Sequence, residues 1–352
     1  MGNNLVVIIP QCAERAKSAR LREVLAHTIG DNPPEEIIET AEQLHPLQGK
    51  RILFAIVLGS SGINLEYYRM LKQIRLDQHI FDDCLGALLV DGKSELYTKY
   101  IARELVLAAN MAGCSFIGRP LVEGTASLAN FHIIAQLRNL DAHGAYLWAA
   151  QDLLSRLLQE TRKHQGTRQL LTLHASNKTT SNTYALWKMV KKHVHDINIQ
   201  EISLWDKEIN DCAGCSYETC LHFGSQGSCF YGGTISEDVY PALETCTDLL
   251  LLCSNYNDAL SAYLTAFINR LTALYLKQRF YDKNIYAIIV SGYSGSDIIA
   301  GQLIAGLCMN KSFFLPARFC LMETAHEPGS IQKISGIENI AANFASIIIK
   351  SH

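Results

Sequence analysis

The feature that most constrains the fold is a regular alternation of short apolar runs with longer amphipathic stretches. In the second half of the chain the apolar runs are QLLTL, INIQEISL, DLLLLCS, IYAIIVSG and FFLPARFCL, and stretches of helical periodicity follow them at 181–195, 236–246, 260–278, 296–310 and 330–348. The runs are apolar at consecutive positions, which is typical of parallel strands buried on both faces. The pattern predicts a doubly wound α/β domain with five strands and five helices.

The first half of the chain has a similar rhythm. Its apolar runs are NLVVIIP, RILFAIVLG, CLGALLVDG and CSFIG, with helical stretches at 14–29, 64–76 and 95–112. An internal duplication is the simplest explanation, and a chance likeness between two α/β halves is the alternative. A long closing helix over 140–166 ends in a polar linker, which predicts a boundary near Gly166 and domains at 1–164 and 167–352.

Length and charge narrow the class of protein further. The 352 residues exceed the size at which one core usually stops growing, so two domains are expected. A formal net charge of -3 gives no reason to expect a nucleic-acid partner. No apolar run reaches the length that crosses a bilayer, and the first residues lack the basic region of a signal peptide. We therefore expect a cytoplasmic protein without a membrane partner.

The loop after the first strand of the second half is unusually rich in hydrogen-bond donors. It has the sequence ASNKTTSNT at 175–183 and precedes a predicted helix. Hydroxyl and amide groups at a helix N-terminus favour an anion such as phosphate, although they are also common as simple helix caps. The loop contains no glycine, which excludes a dinucleotide fingerprint and a P-loop. A terminal phosphate of the FMN type fits this composition better.

Together with two later loops, this segment resembles the NAD(P)H-dependent FMN reductase and iron–sulfur flavoprotein family of the flavodoxin-like superfamily. The resemblance covers roughly residues 168–330. The family's phosphate loop runs Gly-Ser-x-Arg-x-x-Ser-x-Thr, and here Ala175 and Lys178 replace its Gly and Arg. The resemblance implies FMN contacts from three loops: Ser176, Lys178, Thr180, Ser181, Asn182 and Thr183; Ser254, Asn255, Tyr256 and Asn257; and Ser291, Gly292, Tyr293 and Gly295.

Parts of the predicted ring pocket depart from the family pattern. Ser254 replaces the family's Pro, and in the following helix Thr265 and Asn269 replace its Lys and Asp, while Arg270 is retained. Tyr293 either stacks on the flavin ring or belongs to an ordinary turn.

Four of the eleven cysteines fall close together, at Cys212, Cys215, Cys220 and Cys229. Iron–sulfur flavoproteins place a cluster motif in the same loop, so the resemblance implies an iron–sulfur cluster bound by these four thiolates. The spacing here is looser than in that motif. A zinc site and uncoordinated thiols are the alternatives.

The corresponding loop of the first half, at 10–18, has few hydroxyl groups. Glu14 would repel a phosphate, and only Arg15 and Lys17 could compensate. We predict a degenerate flavodoxin-like domain without flavin. It would cover the flavin of the second domain as an intrachain pseudo-dimer, or serve as a domain for a protein partner.

The functional prediction is an FMN-dependent oxidoreductase. Electrons or hydride would pass from NAD(P)H, or from a reduced iron–sulfur donor, to an unidentified small-molecule or protein acceptor. An electron-transfer iron–sulfur flavoprotein and a non-catalytic flavodoxin-like binding module are the alternatives, and a homodimer is a candidate assembly. The flavin supplies the chemistry, so no catalytic side chain is assigned. The sequence has no His-Glu-x-x-His or Gly-x-Ser-x-Gly motif.

Overall fold

The structure, a computed structural model, describes residues 4–14, 18–59, 61–161 and 167–350. The chain divides into two compact units, Met1–Thr161 and Arg162–His352. The predicted boundary at Gly166 lies outside the described residues.

The first unit contains one sheet of five strands. Its strands and helices, in chain order, are β1 (Leu5–Ile8), α1 (Ala19–Ile29), β2 (Glu36–Ile38), β3 (Arg51–Val57), α2 (Leu65–Leu76), β4 (Leu85–Asp91), α3 (Thr98–Met111), β5 (Ser115–Gly124), α4 (His132–Arg138) and α5 (Ala142–Gln159). All neighbouring strands are parallel, in the order β2-β1-β3-β4-β5.

The second unit contains a second sheet of five strands. Its elements are β6 (Gln169–His174), α6 (Asn182–His193), β7 (Asn198–Ser203), α7 (Tyr217–Ser225), α8 (Tyr240–Thr245), β8 (Asp248–Ser254), α9 (Ala262–Lys277), β9 (Asn284–Ser291), α10 (Ser296–Leu303), β10 (Cys320–Thr324) and α11 (Ile337–Lys350). These strands are also parallel, in the order β10-β9-β8-β6-β7.

Both sheets have the strand order 2-1-3-4-5 when each unit is counted from its own first strand. This is the flavodoxin-like order, in which the first strand lies between the second and the third. The predicted fold, two flavodoxin-like parallel sheets, is confirmed. The order reverses between β1 and β3 in the first unit and between β6 and β8 in the second, and ligands of such sheets bind at this reversal.

The core of the second unit explains its continuous apolar strands. Leu250 and Leu252 of β8 pack in one buried cluster with Trp187 of α6 and Phe344 of α11. The residues between them, Leu249 and Leu251, point to the other face and are also buried, so both faces of the strand are covered. In contrast, β7 lies at the edge of the sheet and is half exposed.

Two of the observed strands differ from the prediction. The short edge strand β2 was not predicted, because its three residues carry little apolar pattern. The run FFLPARFCL does not form one strand: Phe314 makes a single bridge to Asn284, the chain turns through Arg318 at φ 53°, and β10 begins at Cys320. The closing helix predicted over 140–166 is α5 and ends at Gln159. No helix among the described residues combines the length and apolar character needed to cross a membrane.

Candidate flavin site and cysteine loop

Four loops lie beyond the carboxyl ends of the strands in the second unit. We call them loop 1 (175–181, after β6), loop 2 (255–261, after β8), loop 3 (292–295, after β9) and loop 4 (325–329, after β10). Because β6 and β8 are neighbours at the reversal of strand order, loops 1 and 2 flank the crevice in which a ligand is expected.

Hydroxyl groups bridge this crevice. The side chain of Thr183, in the first turn of α6, lies 2.9 Å from the Ser254 hydroxyl at the end of β8. Ser181 caps α6 by accepting a hydrogen bond from the backbone N–H of Tyr184 at 3.2 Å. In loop 1, Asn177 accepts from both the backbone N–H and the hydroxyl of Thr179. The loop therefore has a fixed turn, and its hydroxyl groups lie at a helix N-terminus.

Asn182, which was predicted to bind the cofactor, joins α6 to loop 4 through its side-chain amide. Its amide nitrogen donates to the carbonyl oxygens of Ala325 and Glu327 at 3.1 and 2.8 Å, and its amide oxygen accepts from the backbone N–H of Gly329 at 2.9 Å. The side chain is 8% exposed, so these bonds satisfy a buried amide. Its role in the structure is to position the start of α6.

Lys178, the basic residue of loop 1, is engaged by a carboxylate on β7. Its Nζ lies 3.1 Å from Glu201, which also accepts from the Tyr184 hydroxyl at 2.8 Å and from the Trp187 indole at 3.1 Å. Burial disfavours the Glu201 carboxylate, but the hydrogen bonds outweigh it and lower its pKa to about 2. The bond to Glu201 in turn raises the pKa of Lys178. Lys178 also lines an open groove of about 670 Å³ beside β7.

His174, the last residue of β6, supports loop 1 from below. Its Nδ1 accepts from the backbone N–H of Ser176 at 3.2 Å, and its Nε2 lies 3.6 Å from Glu201. The ring is fully buried, and this burial lowers its pKa, so the neutral form is favoured. Neither His174 nor Glu201 was among the predicted site residues.

Asn255 joins loop 2 to loop 3. Its amide nitrogen donates to the Ser291 hydroxyl at 3.1 Å and to the Ser294 carbonyl at 2.9 Å, and its amide oxygen accepts from the backbone N–H of Asp258. Gly295 has φ 87°, and a Cβ there would lie 2.2 Å from Asp258 Oδ1, so only glycine is tolerated. The two loops are thus locked together.

The aromatic side chains of these loops are exposed. Tyr256 is 50% and Tyr293 is 76% exposed, and the Tyr293 ring stacks on His326 of loop 4 with the centroids 4.6 Å apart. Asn257 lies next to Tyr256 in a left-handed conformation at φ 53°. Gly292 approaches the same histidine: a Cβ there would lie 3.2 Å from His326 Nδ1. Loop 4 and His326 were not predicted as part of the site.

The loop with the four cysteines is fastened to α9 at both of its ends. The buried Arg270 guanidinium donates to the carbonyl oxygens of Asn210 and Gly232 at 3.2 and 2.6 Å, and Asn269 donates to the Asp211 carboxylate at 3.0 Å. We call residues 210–232 the cysteine loop. Asn269 and Arg270, which the resemblance placed in the family's helix motif, therefore hold this loop in the structure.

The thiols of the cysteine loop approach each other around Cys220. Cys215, Cys229 and Cys212 are all near enough to Cys220 to affect the pKa of its thiol. Burial first, and then these neighbours, raise the pKa of Cys220. In the part of the chain that the structure describes, no three His, Cys, Asp or Glu side chains are grouped as ligands of a metal ion. The iron–sulfur cluster and the zinc alternative therefore stay predictions.

The first unit has a different arrangement at the reversal of its strand order. The Glu14 carboxylate lies close to Gly59, which is the second residue after β3. A Cβ atom added to Gly59 would be only 2.7 Å from Glu14 Oε1. A negative charge thus occupies the region where loop 1 of the second unit has hydroxyl groups. Arg15 and Lys17 lie outside the described residues. The absence of flavin from this unit stays a prediction.

The three loops lie within a segment that has a family match. Residues 169–327 match the family model described as NADPH-dependent FMN reductase. This part of the chain is similar to that family. The resemblance predicted from the three loops is confirmed, and the match supports an FMN-dependent oxidoreductase. No curated protein sequence matches the chain.

Among the similar solved structures, three each match about half of this chain. One is Smu.1420 from Streptococcus mutans UA159, with 12% identity, coverage of 50% of this chain and 99% of that one, and a TM-score of 0.38. A second is the Trp repressor binding protein from Bacillus subtilis, with 16% identity, coverage of 50% and 99%, and a TM-score of 0.35. A third is an FMN-dependent NADH-azoreductase from Bacillus anthracis str. Ames Ancestor, with 10% identity, coverage of 51% and 99%, and a TM-score of 0.36.

Apart from Asn257, the predicted site residues separate into two groups. The first group consists of Ser and Thr residues and one glycine near the crevice, together with two exposed tyrosines beside it. Its members are Ser176, Thr180, Ser181, Thr183, Ser254, Tyr256, Ser291, Gly292 and Tyr293. The second group is engaged in structural contacts of its own: Asn182 with loop 4, Lys178 with Glu201, Asn255 with loop 3, and Gly295 against Asp258. The structural role of the second group could not be predicted, because its partners are distant in sequence.

Proposed function

We propose that the second unit binds FMN in the crevice between β6 and β8 and transfers electrons or hydride from NAD(P)H to an acceptor that is still to be identified. The proposal rests on one observation: the segment that matches the FMN reductase family includes three loops that converge at the reversal of strand order. The contact between Thr183 and Ser254 joins the start of α6 to the end of β8 across the crevice, and Asn255 joins loop 2 to loop 3.

The phosphate group would be held by loop 1 and the first turn of α6. Ser176, Thr180 and Ser181 offer hydroxyl groups, and the helix N-terminus adds backbone N–H donors and a partial positive charge. These donors are uncharged, and Lys178 is already bound by Glu201 at the rim. The chemistry of the donor set fits a phosphate monoester held by several hydrogen bonds, each strengthened by the charge of the acceptor.

The isoalloxazine ring would be held by loops 2 and 3. The lock between Asn255 and Ser294 fixes the distance between these loops, and Tyr256 and Tyr293 offer exposed aromatic faces for stacking. Bound FMN supplies the hydride-accepting chemistry, and the chain orients the ring and limits access of water. Tyr293 would exchange its contact with His326 for one with the ring.

Two measurements test the proposal on the purified chain. FMN titration followed by flavin fluorescence should give saturable binding, and NADH or NADPH oxidation should then proceed when a quinone or free flavin is added as acceptor. Binding without turnover would support an electron-transfer flavoprotein or a binding module. Failure of FMN to bind would contradict the proposed function itself. An iron–sulfur cluster is not included in the proposal, because the described thiols do not form a ligand set.

A further inference from the structure

His174 ends β6 directly before loop 1, and its ring is closely packed. The ring is fully buried, and the backbone of His174 is paired with Ser203 of β7 on one side and with Leu252 of β8 on the other. The ring of Tyr184, on α6, lies against the imidazole with the two centroids 5.1 Å apart. The imidazole therefore has little freedom to move, so a hydrogen bond that it makes has a fixed direction.

The hydrogen bond to loop 1 defines the tautomer of this ring. The backbone N–H of Ser176 donates to His174 Nδ1 at 3.2 Å, so Nδ1 is an acceptor and the proton of the neutral ring is on Nε2. Nε2 is buried without a hydrogen-bond partner among the described residues, and the Glu201 carboxylate lies 3.6 Å from it. A carboxylate attracts an N–H group, so Glu201 favours the tautomer that Ser176 requires.

Glu201 is itself held in place beside the ring. Its carboxylate accepts hydrogen bonds from the Tyr184 hydroxyl at 2.8 Å and from the Trp187 indole at 3.1 Å. Three groups in contact, the Glu201 carboxylate, the His174 imidazole and the Ser176 peptide, thus connect β7 to the start of loop 1.

The peptide group between Ala175 and Ser176 is oriented by these contacts. Its N–H points to His174, which fixes the plane of the peptide and restricts the direction in which the Ser176 side chain leaves the backbone. Ser176 has the first hydroxyl group of the loop, and hydrogen bonds to an anion are strong only when the donors are aligned before the anion binds. A peptide that turned freely would weaken contacts with a phosphate and leave loops 2 and 3 unchanged.

We propose that His174 is a positioning residue that makes loop 1 selective for a flavin that carries a phosphate group. The proposal rests on the proposed function, because it takes FMN as the ligand of the crevice. Glu201 selects the tautomer, Nδ1 of His174 holds the Ser176 peptide, and loop 1 then presents aligned donors to the phosphate. The imidazole does not touch the flavin, since it is fully buried.

Two substitutions of His174 test this role in calorimetric titrations of the full chain with FMN and with riboflavin. His174→Asn keeps an oxygen acceptor near the position of Nδ1, whereas His174→Gln carries its amide at the level of Nε2 and has no acceptor for Ser176. We expect His174→Gln to lower the preference for FMN over riboflavin by about tenfold, with riboflavin affinity changed by less than about twofold. His174→Asn, the matched control, should change the preference by less than about threefold.

Three outcomes of the titrations would overturn the role of His174. They are retention of the full preference in His174→Gln, an equal loss of preference in both variants, and a parallel loss of affinity for both flavins in His174→Gln, which a general structural role would cause. Far-UV circular dichroism verifies that both variants are folded. A wild-type chain that does not bind FMN would instead contradict the proposed function.

A second measurement uses the wild-type chain, so it decides the matter even if His174→Gln is unstable. Burial lowers the pKa of His174, so the ring is neutral at pH 7. With ¹⁵N-labelled histidine, long-range proton–nitrogen NMR spectra should show the proton of this ring on Nε2. The signals of His174 are those that are missing from His174→Asn. A proton on Nδ1 is incompatible with the bond from Ser176 and would overturn the proposal whether or not FMN binds.

Discussion

At the scale of residues, the candidate site depends on side chains that hold the loops as much as on those that would touch a ligand. The Glu201 carboxylate accepts hydrogen bonds from Lys178, Tyr184 and Trp187 next to loop 1. His174 accepts a hydrogen bond from the backbone N–H of Ser176. An anion site made of uncharged donors needs such support, because its hydrogen bonds are strong only when the donors are already aligned. The charged residues beside loop 1 therefore act chiefly by holding the loop in position.

The Glu201 network predicts a pH-dependent contribution to stability. Its folded pKa of about 2 lies below its ordinary value of 4.5, so the stabilisation is fully present above about pH 4.5 and is lost as the pH falls toward 2. We expect Glu201→Gln to lower the free energy of unfolding by about 1–3 kcal/mol at pH 7. In urea titrations, the difference between the variant and the wild type should narrow as the pH falls from 7 to 3.

Glu338→Gln is the matched control for this prediction. Glu338 belongs to the same unit, is 56% exposed and lies 3.4 Å from Lys192, so its loss should cost less than about 0.5 kcal/mol. A Glu201→Gln variant as stable as this control at pH 7 would show that the network contributes nothing.

The sequence was informative about residue types and uninformative about their partners. The hydroxyl-rich loop predicted hydrogen-bond donors at the start of α6, where Ser181 also serves as the helix cap. Asn182 and Asn255 have the same polar character, yet their bonds go to segments 143 and 36 residues away. Only the folded chain brings those segments together. His326 carries no local signal at all.

At the scale of elements, the central strands of both sheets could be predicted because they are continuously apolar. The bounds of β2, α7 and β10 could not be predicted. The three residues of β2 lie at a sheet edge, where burial imposes little pattern. Helix α7 is defined by its Ser216 cap and its packing on α9. The apolar run before β10 is interrupted by Pro316 and by Arg318 at positive φ, so only its last residues join the sheet.

An arginine beside the first strand of the second unit predicts a large effect on stability. Arg168 makes two hydrogen bonds to the buried Asp248 carboxylate at 3.0 and 2.7 Å, and it also donates to the Ile348 carbonyl near the end of α11. Arg168→Met leaves the Asp248 charge buried, so we expect a loss of about 3–5 kcal/mol in the free energy of unfolding.

Arg51 provides the comparison for this variant. It lies at the start of β3 and donates to the carbonyl oxygens of Leu157 and Glu160 at the end of α5. Its two acceptors are neutral, so Arg51→Met should cost about 1–2 kcal/mol. If urea titrations show equal decreases in the free energy of unfolding for the two variants, the ion pair with Asp248 contributes no more than hydrogen bonds to neutral carbonyl groups.

At the scale of the whole molecule, two units share one strand order and differ at the place where a ligand is expected. Hydroxyl groups of Thr183 and Ser254 meet at the reversal in the second unit, and the Glu14 carboxylate lies over Gly59 in the first. This difference is the reason to assign FMN to one unit. A role of the first unit in covering the flavin stays a prediction.

A comparison of FMN binding by the full chain and by the second unit alone tests whether FMN binds only to the second unit. Residues 167–352 contain a complete five-stranded sheet and their own core, so we expect them to bind one FMN when expressed alone. If the first unit covers the flavin, its removal should weaken binding by about tenfold, as measured by fluorescence titration. Binding of FMN by residues 1–161 alone would contradict the assignment.

The central claim, that loop 1 holds a phosphate, is tested most directly by comparing FMN with riboflavin in calorimetric titrations of the full chain. The account predicts that FMN binds at least about a hundredfold more tightly, because several hydrogen bonds to a charged acceptor are lost with riboflavin. Thr180→Glu, which adds a negative charge on the exposed side of loop 1, should remove most of this preference and leave riboflavin affinity unchanged, whereas Ser155→Glu in α5 should leave both affinities unchanged. Equal affinity of the wild-type chain for FMN and riboflavin would contradict the account.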